Sequence, residues 1–340
     1  MLATLKRLMA AASDSPDSCA DDIEPINATS DPKLAARLYR TMLLIRRFEE
    51  RVYRLFLEGE IPGTLHQYQG QEAVAAGVCD VLGERDWITS THRPHGHALA
   101  KGVSPRAAMA ELYGKATGCC RGKGGSMHLG DPAVGMLPAI AIVAGGNSVV
   151  SGIGLAMKLS GDDRVAVCFF GEGATNEGAF HEGLNFAAVQ RLPIVFACEN
   201  NLYGASTAFS AVSLVKDVAD RARAYGVPSR IVDGMDVLAV RAATAEAVAA
   251  CRGRKGPTLL EFKTYRFTGH SRSDARGYRS SEEEQAWQSR DPLTLLAPAL
   301  SGPERDGIDA DVNAEIDDAV EFARNSRFPE PAEAFSDVYA

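Results

Sequence analysis

The chain has 340 residues, 46% of them hydrophobic, and a formal net charge of -8. That length and composition can fill a substantial core, as one large α/β domain or two smaller ones. No Lys/Arg-rich stripe with interleaved aromatics occurs, which argues against nucleic acid, and no apolar run approaches a bilayer span, which argues against a membrane. The first thirty residues carry Asp14, Asp17, Asp21, Asp22 and Glu24 after a short apolar patch, and read as a flexible acidic arm rather than a targeting peptide. Residues 31–340 read as a single domain. Seven cysteines without CxxC spacing argue for neither zinc nor a disulfide framework, and for a reducing compartment, the cytoplasm.

Asp31-Pro32 opens a helix in which Leu34, Leu38, Met42, Ile45, Phe48, Val52 and Leu55 recur three or four apart, until Gly59 and Pro62 end it. Ser104-Pro105 opens another, "SPRAAMAELYGKATG", with Gly118 expected as its stop. From Gly118 to Gly154 glycines are so frequent that the backbone must turn sharply or approach something closely. Cys119 and Cys120 within that segment read as packing residues, since no neighbouring ligand set is apparent.

"RVAVCFF" (Arg164 to Phe170) and "IVFACE" (Ile194 to Glu199) are short, apolar and rich in β-branched or aromatic residues, as buried strands are. Between them, Thr175 to Arg191 spaces Phe180, Leu184, Ala187 and Ala188 at the helical period. A right-handed crossover makes the two strands parallel and brings Glu172 and Asn200/Asn201 to the same sheet edge, where ligands bind. Asn176 stands where a dinucleotide fingerprint needs its third glycine, so the Gly171-Glu172-Gly173 turn fits that reading poorly. An acid on one strand end and a carboxamide on the next can instead hold a hard divalent cation, with a diphosphate completing its shell. "PTLLEFKTYRF" (Pro257 to Phe267) reads as a further strand and "TGHSRSDARGYRSS" after it as a mobile polar loop. Ser281 with Glu284 predicts a capping box, and "DADVNAEIDDAVEFARNSR" an amphipathic helix near the end.

Gly-acid-Gly, then helix, strand and Asn-Asn, resembles the thiamine-diphosphate signature. With "LHQYQGQEAVAAG" (Leu65 to Gly77), "RGKGGSMHL" (Arg121 to Leu129), "VDGMDVLAV" (Val232 to Val240) and "TGHSRSD" (Thr268 to Asp274), the chain resembles the alpha subunit of 2-oxo acid and acetoin dehydrogenase complexes, from about Asp31 to Pro292. The resemblance implies a parallel-sheet diphosphate-binding fold with helices on both faces and extra terminal helices. It also implies thiamine diphosphate and Mg2+ as cofactors. Glu172, Asn201 and the Tyr203 carbonyl would hold the metal. Gly171, Gly173, Ala174 and Gly204 would lie along the diphosphate, which Arg93 would grip. His92 stands where pyruvate enzymes have tyrosine. "AIVAGG" matches a segment whose backbone meets the aminopyrimidine, with Val143 in that role and Ala141 and Ala144 in place of glycines. His270 would lie over the reactive centre, with His66 and His95 at further histidine positions of the channel. The implied activity is oxidative chemistry on pyruvate or acetoin through an enamine on the cofactor, with acyl transfer to a lipoyl-bearing acyltransferase. The implied assembly is a heterotetramer of two alpha and two beta chains. "THRPHGHALAKG" and "GCCRGKGGSMHL" lean toward acetoin, and pyruvate stays open. Glu172 in place of the family's usual Asp, with His92, Ala141 and Ala144, also leaves open a non-catalytic scaffold that joins a beta subunit without cofactor.

Overall fold

The computed structural model describes residues 31–336, so the acidic arm lies outside the described residues. Seven strands are present among them: β1 (Trp87–Thr89), β2 (Ala166–Gly171), β3 (Ile194–Asn200), β4 (Tyr203–Gly204), β5 (Thr207–Ala208), β6 (Ser229–Asp233) and β7 (Thr258–Lys263). Five make a parallel sheet in the order β1-β2-β3-β7-β6, and β4 and β5 form a small antiparallel pair. The central strands β2 and β3 are apolar from Ala166 to Phe170 and from Ile194 to Cys198 because helices cover both faces. Val165, Val167, Phe169, Val195, Ala197, Leu260 and Phe262 belong to one core. Their neighbours Ala166, Cys168, Phe170, Ile194, Phe196, Cys198 and Leu259 belong to the other. This is the expected α/β class with helices on both faces.

The Pro32–Leu57 helix begins where Asp31 accepts hydrogen bonds from the Lys33 and Leu34 amides, and it buries Leu38, Met42, Ile45, Phe48, Val52 and Leu55. The Gly302–Asn325 helix, capped by a Ser301/Glu304 box, packs on it. Several expected boundaries move. The helix between β2 and β3 starts only at Gly178, because Thr175 Oγ1 donates to the Glu172 carbonyl and tightens Glu172–Asn176 into a 3-10 turn, after which Glu177 is extended. The Pro105–Leu112 helix ends at Gly114, whose φ of +68° supplies the left-handed stop, and not at Gly118. Gly118 instead lies so close to Glu111 that a Cβ would meet its Cα at 2.6 Å. The Pro257 to Phe267 strand stops at Lys263.

The capping box expected at Ser281 is absent. Ser280 caps the Ser281–Gln288 helix, its Oγ accepting from the Glu283 amide at 3.1 Å, while the Glu283 carboxylate accepts from the Tyr203 and Tyr265 hydroxyls. The segment expected as a mobile loop is tied internally. Asp274 accepts from the His270 and Arg276 amides and the Tyr278 hydroxyl, and the buried Arg279 guanidinium lies over the rings of Tyr203, Tyr265 and Tyr278.

Glu72 fixes the turn that carries Gln71 toward the β3 end. Its carboxylate is fully buried, accepts from Arg46 and from the Gly70 amide, and shares Arg46 with Asp291. Glu72→Ala strands a largely buried guanidinium with one remaining partner, and about 3 kcal/mol of stability should be lost. The urea midpoint measures this; a midpoint within error of wild type would deny the cluster that role.

Candidate active site

β2 and β3 run side by side in register, Gly171 opposite Glu199, so that the next residues on each strand emerge at the same edge. Above that edge lies a cavity of about 480 Å³, within the range of small-molecule and cofactor sites. Glu172, Gly173 and Ala174 form one wall from the β2 end, and Asn201, Tyr203 and Gly204 the adjoining wall from the β3 end. Gly173 and Gly204 face each other closely enough that a Cβ on Gly173 would meet the Gly204 Cα at 3.3 Å.

The two asparagines separate in role. Asn200 is structural: its amide donates to Glu261 and its oxygen accepts from the Leu202 amide. Asn201 faces the cavity, with its Nδ2 donating to Gln71 Oε1 at 2.9 Å, which leaves Oδ1 as its acceptor. Leu202, at φ +73°, makes the sharp turn between them and the β4 residues.

Glu172 is buried, and no Lys or Arg side chain of the described residues forms an ion pair with it. Burial raises its carboxyl above the ordinary carboxylate range, against the opposing pull of backbone amides, including that of Asn201, and of Arg266. Arg93 and Arg266 line the same cavity, also buried and also without an ion-paired carboxylate. Arg93 donates to the Gln67 and His270 carbonyls, and Arg266 to the Ala205 and Thr268 carbonyls and the Tyr278 hydroxyl. Burial, then the neighbouring Arg266 guanidinium, lowers Arg93 to about 9, and burial, then Arg279, lowers Arg266. Buried guanidiniums without an ion-pair partner in a concave site favour an anion. Oxygen donors and guanidiniums lining one cavity fit a divalent cation and a diphosphate together.

His66, His92 and His270 close the cavity mouth, with ring centroids 4.9, 5.0 and 5.3 Å apart. Burial first, then Arg93, lowers them to about 3, 2 and 4, so all three are neutral at pH 7. The Ala141 to Ala144 segment lines the opposite side, where Ala144 adopts φ +61°, a conformation suited to glycine. Thus Ala141, Val143, Gly171, Glu172, Gly173, Ala174, Asn201, Tyr203, Gly204, His66, His92, Arg93 and His270 share one cavity. His95 does not join them: it is fully buried behind the wall, bonded to Glu49 and Ser126. Arg266, Gln71, Glu199 and Asn147 line the cavity without having been singled out in the sequence. Arg266 had a signal, lying four residues before His270 at the end of a strand pattern. The others had none that is local.

Residues 40–332 match the family described as Dehydrogenase E1 component. The chain belongs to that family. It is 46% identical to the acetoin:2,6-dichlorophenolindophenol oxidoreductase alpha subunit of Bacillus subtilis, over 89% of this chain and 92% of the relative. It is 42% identical to the protein of the same name from Cupriavidus necator, covering 91% and 95%. It is also 42% identical to the pyruvate dehydrogenase E1 component alpha subunit of Porphyra purpurea, covering 90% and 92%. The chain is thus a dehydrogenase E1 component of the alpha type, in a thiamine-diphosphate-dependent family.

The depressed imidazoles give a pH prediction. Histidines held neutral in the folded state stabilise it above their unfolded value near 6.5, and that contribution is lost as pH falls from there toward about 4, because the unfolded chain binds the protons first. Between pH 6.5 and 5 stability should therefore drop more steeply for wild type than for His66→Asn/His92→Asn, by about two bound protons at most. Urea titrations at each pH read the slope, and parallel slopes would refute the assignment.

Proposed function

We propose that this chain is the alpha subunit of a heterotetrameric, thiamine-diphosphate- and Mg2+-dependent dehydrogenase that acts on acetoin or pyruvate and passes the acyl unit to a lipoyl-bearing acyltransferase. Acetoin is the favoured substrate, since two relatives, at 46% and 42% identity, carry that name. The observation that carries the reading is the presence, in one cavity at the sheet edge, of buried oxygen donors from Glu172 and Asn201 together with the guanidiniums of Arg93 and Arg266, which have no ion-paired carboxylate. When bound, thiamine diphosphate supplies a carbon centre that attacks a carbonyl and stabilises the resulting carbanion.

The chain's own groups do the rest. Glu172, Asn201 Oδ1 and the Tyr203 carbonyl offer oxygens to Mg2+, which prefers this sparse protein set with phosphate oxygens completing it. A cation there favours ionised Glu172 and offsets its burial. Arg93 and Arg266 neutralise the diphosphate, and Gly173 and Gly204 keep side chains out of its path. His270, His66 and His92 are neutral acceptors at pH 7, and an anion near Arg93 raises their basicity toward the range useful for proton transfer. Ile142 and Val143 are exposed beside the cavity, and Leu159, Phe186 and Val189 are exposed on the helices beyond. This apolar surface supports a beta subunit that covers the cavity and completes the site. Residues 31–340 would form one domain. No helix among the described residues is long and apolar enough to cross a membrane; the cytoplasm is proposed from the cysteine pattern alone.

Co-expression with the beta chain should give acetoin- or pyruvate-dependent reduction of 2,6-dichlorophenolindophenol that requires both thiamine diphosphate and Mg2+. Glu172→Ala should abolish metal-dependent cofactor binding in calorimetric titration. His270→Ala should retain binding and slow turnover about a hundredfold or more. An assembled complex that binds no cofactor would instead be the scaffold.

A further inference from the structure

The three histidines at the cavity mouth are more numerous than proton transfer at one centre needs, and their arrangement has a geometry of its own. One ligand nitrogen from each of His66, His92 and His270 lies within 4.8 Å of the others. His66 Nδ1, His92 Nε2 and His270 Nδ1 are buried and have no hydrogen-bond partner. Three imidazoles bound to a tetrahedral metal at about 2.0–2.1 Å hold their ring centroids about 5 Å apart. The rings here are separated by 4.9, 5.0 and 5.3 Å, so modest side-chain rotation closes them on a common ion.

We propose that His66, His92 and His270 form a binding site for a borderline-soft divalent metal of the Zn2+ class, with a fourth position open to an anionic oxygen ligand. This site is chemically distinct from the all-oxygen set of Glu172, Asn201 and Tyr203: imidazole favours zinc-like ions, and carboxylate and carbonyl oxygen favour magnesium. It shares the cavity with the proposed cofactor but does not rest on the cofactor reading. The imidazoles need shed no proton to ligate at neutral pH, since all are already neutral there. Arg93, which repels positive charge at all three rings, opposes a bare dication and favours one carrying a carboxylate or hydroxide.

A second group of ligand types, Glu111 with Cys119 and Cys120, lies elsewhere, and it corrects the expectation that these cysteines have no such neighbour. The Glu111 oxygens already accept from the amides of Cys120, Gly122, Gly124 and Gly125, and Cys120 Sγ points to the His128 carbonyl. That group serves as the internal competitor in the test.

The experiment titrates the full chain, free of thiamine diphosphate, with Zn2+ by calorimetry and with Co2+ by visible absorption. One metal per chain is expected, with the intense d–d bands of a tetrahedral nitrogen and oxygen site, no sulfur charge-transfer band, and tighter binding in acetate. His92→Phe should weaken binding at least about a hundredfold, more than loss of an outer hydrogen-bond partner costs. Cys119→Ser/Cys120→Ser should leave it unchanged. Circular dichroism checks that each variant is folded, and His66→Gln repeats the test if His92→Phe is not. The absence of stoichiometric binding, undiminished binding in a folded histidine variant, or loss of binding in the cysteine variant would each overturn the proposal. All of these leave thiamine diphosphate binding by the beta complex to be judged separately.

Discussion

A carboxylate buried without an ion-paired cation is costly, and Glu172 is in that position at the end of β2. The guanidiniums that would relieve it, Arg93 and Arg266, are themselves buried in the same cavity and unpaired with any carboxylate. They do not collapse onto Glu172 because backbone carbonyls hold them: Gln67 and His270 for Arg93, Ala205 and Thr268 for Arg266. The fold thus keeps a carboxylate and two guanidiniums in one cavity without an ion pair between them. A ligand that brings both a dication and a polyanion satisfies both kinds of group at once, which a ligand of single charge does not. The sheet makes this arrangement possible, since only parallel neighbouring strands bring Glu172 and Asn201 out at one edge.

The same separation governs the histidines. Burial, and after it Arg93, depresses all three imidazoles, so these rings are neutral beside a cationic guanidinium. Anything that neutralises Arg93 shifts these rings toward protonation. In the proposed function, anion binding at Arg93 and the basicity of the three histidines are coupled through one side chain.

Much of this was legible in the sequence because it is local. The β2 and β3 runs, the glycine-flanked acid and the paired asparagines sit within the 38 residues from Arg164 to Asn201, and their pattern alone predicts parallel strands with a shared edge. What was not legible depends on distant partners. Nothing near Asn201 says that Gln71 orients its amide, and the position of Arg266 before His270 does not say that it shares a cavity with Glu172. His95 and His92 lie three residues apart, yet one turns into the core toward Glu49 and the other into the cavity, because a helix begins between them. The caps failed for a related reason. Gly118 and Ser281 have the right chemistry, but Gly114 and Ser280 hold those places, Gly118 being packed on Glu111 and Glu283 being drawn to Tyr203 and Tyr265.

The central claim is that Glu172 and Asn201 jointly clasp a cation. Crystals of the complex with its beta chain, grown with thiamine diphosphate and Mn2+ in place of Mg2+, test it by anomalous scattering. The account predicts one peak about 2.1 Å from a Glu172 carboxylate oxygen and from Asn201 Oδ1, adjoining the diphosphate. A bound diphosphate with the manganese peak elsewhere, or with Glu172 turned away from it, would contradict the account.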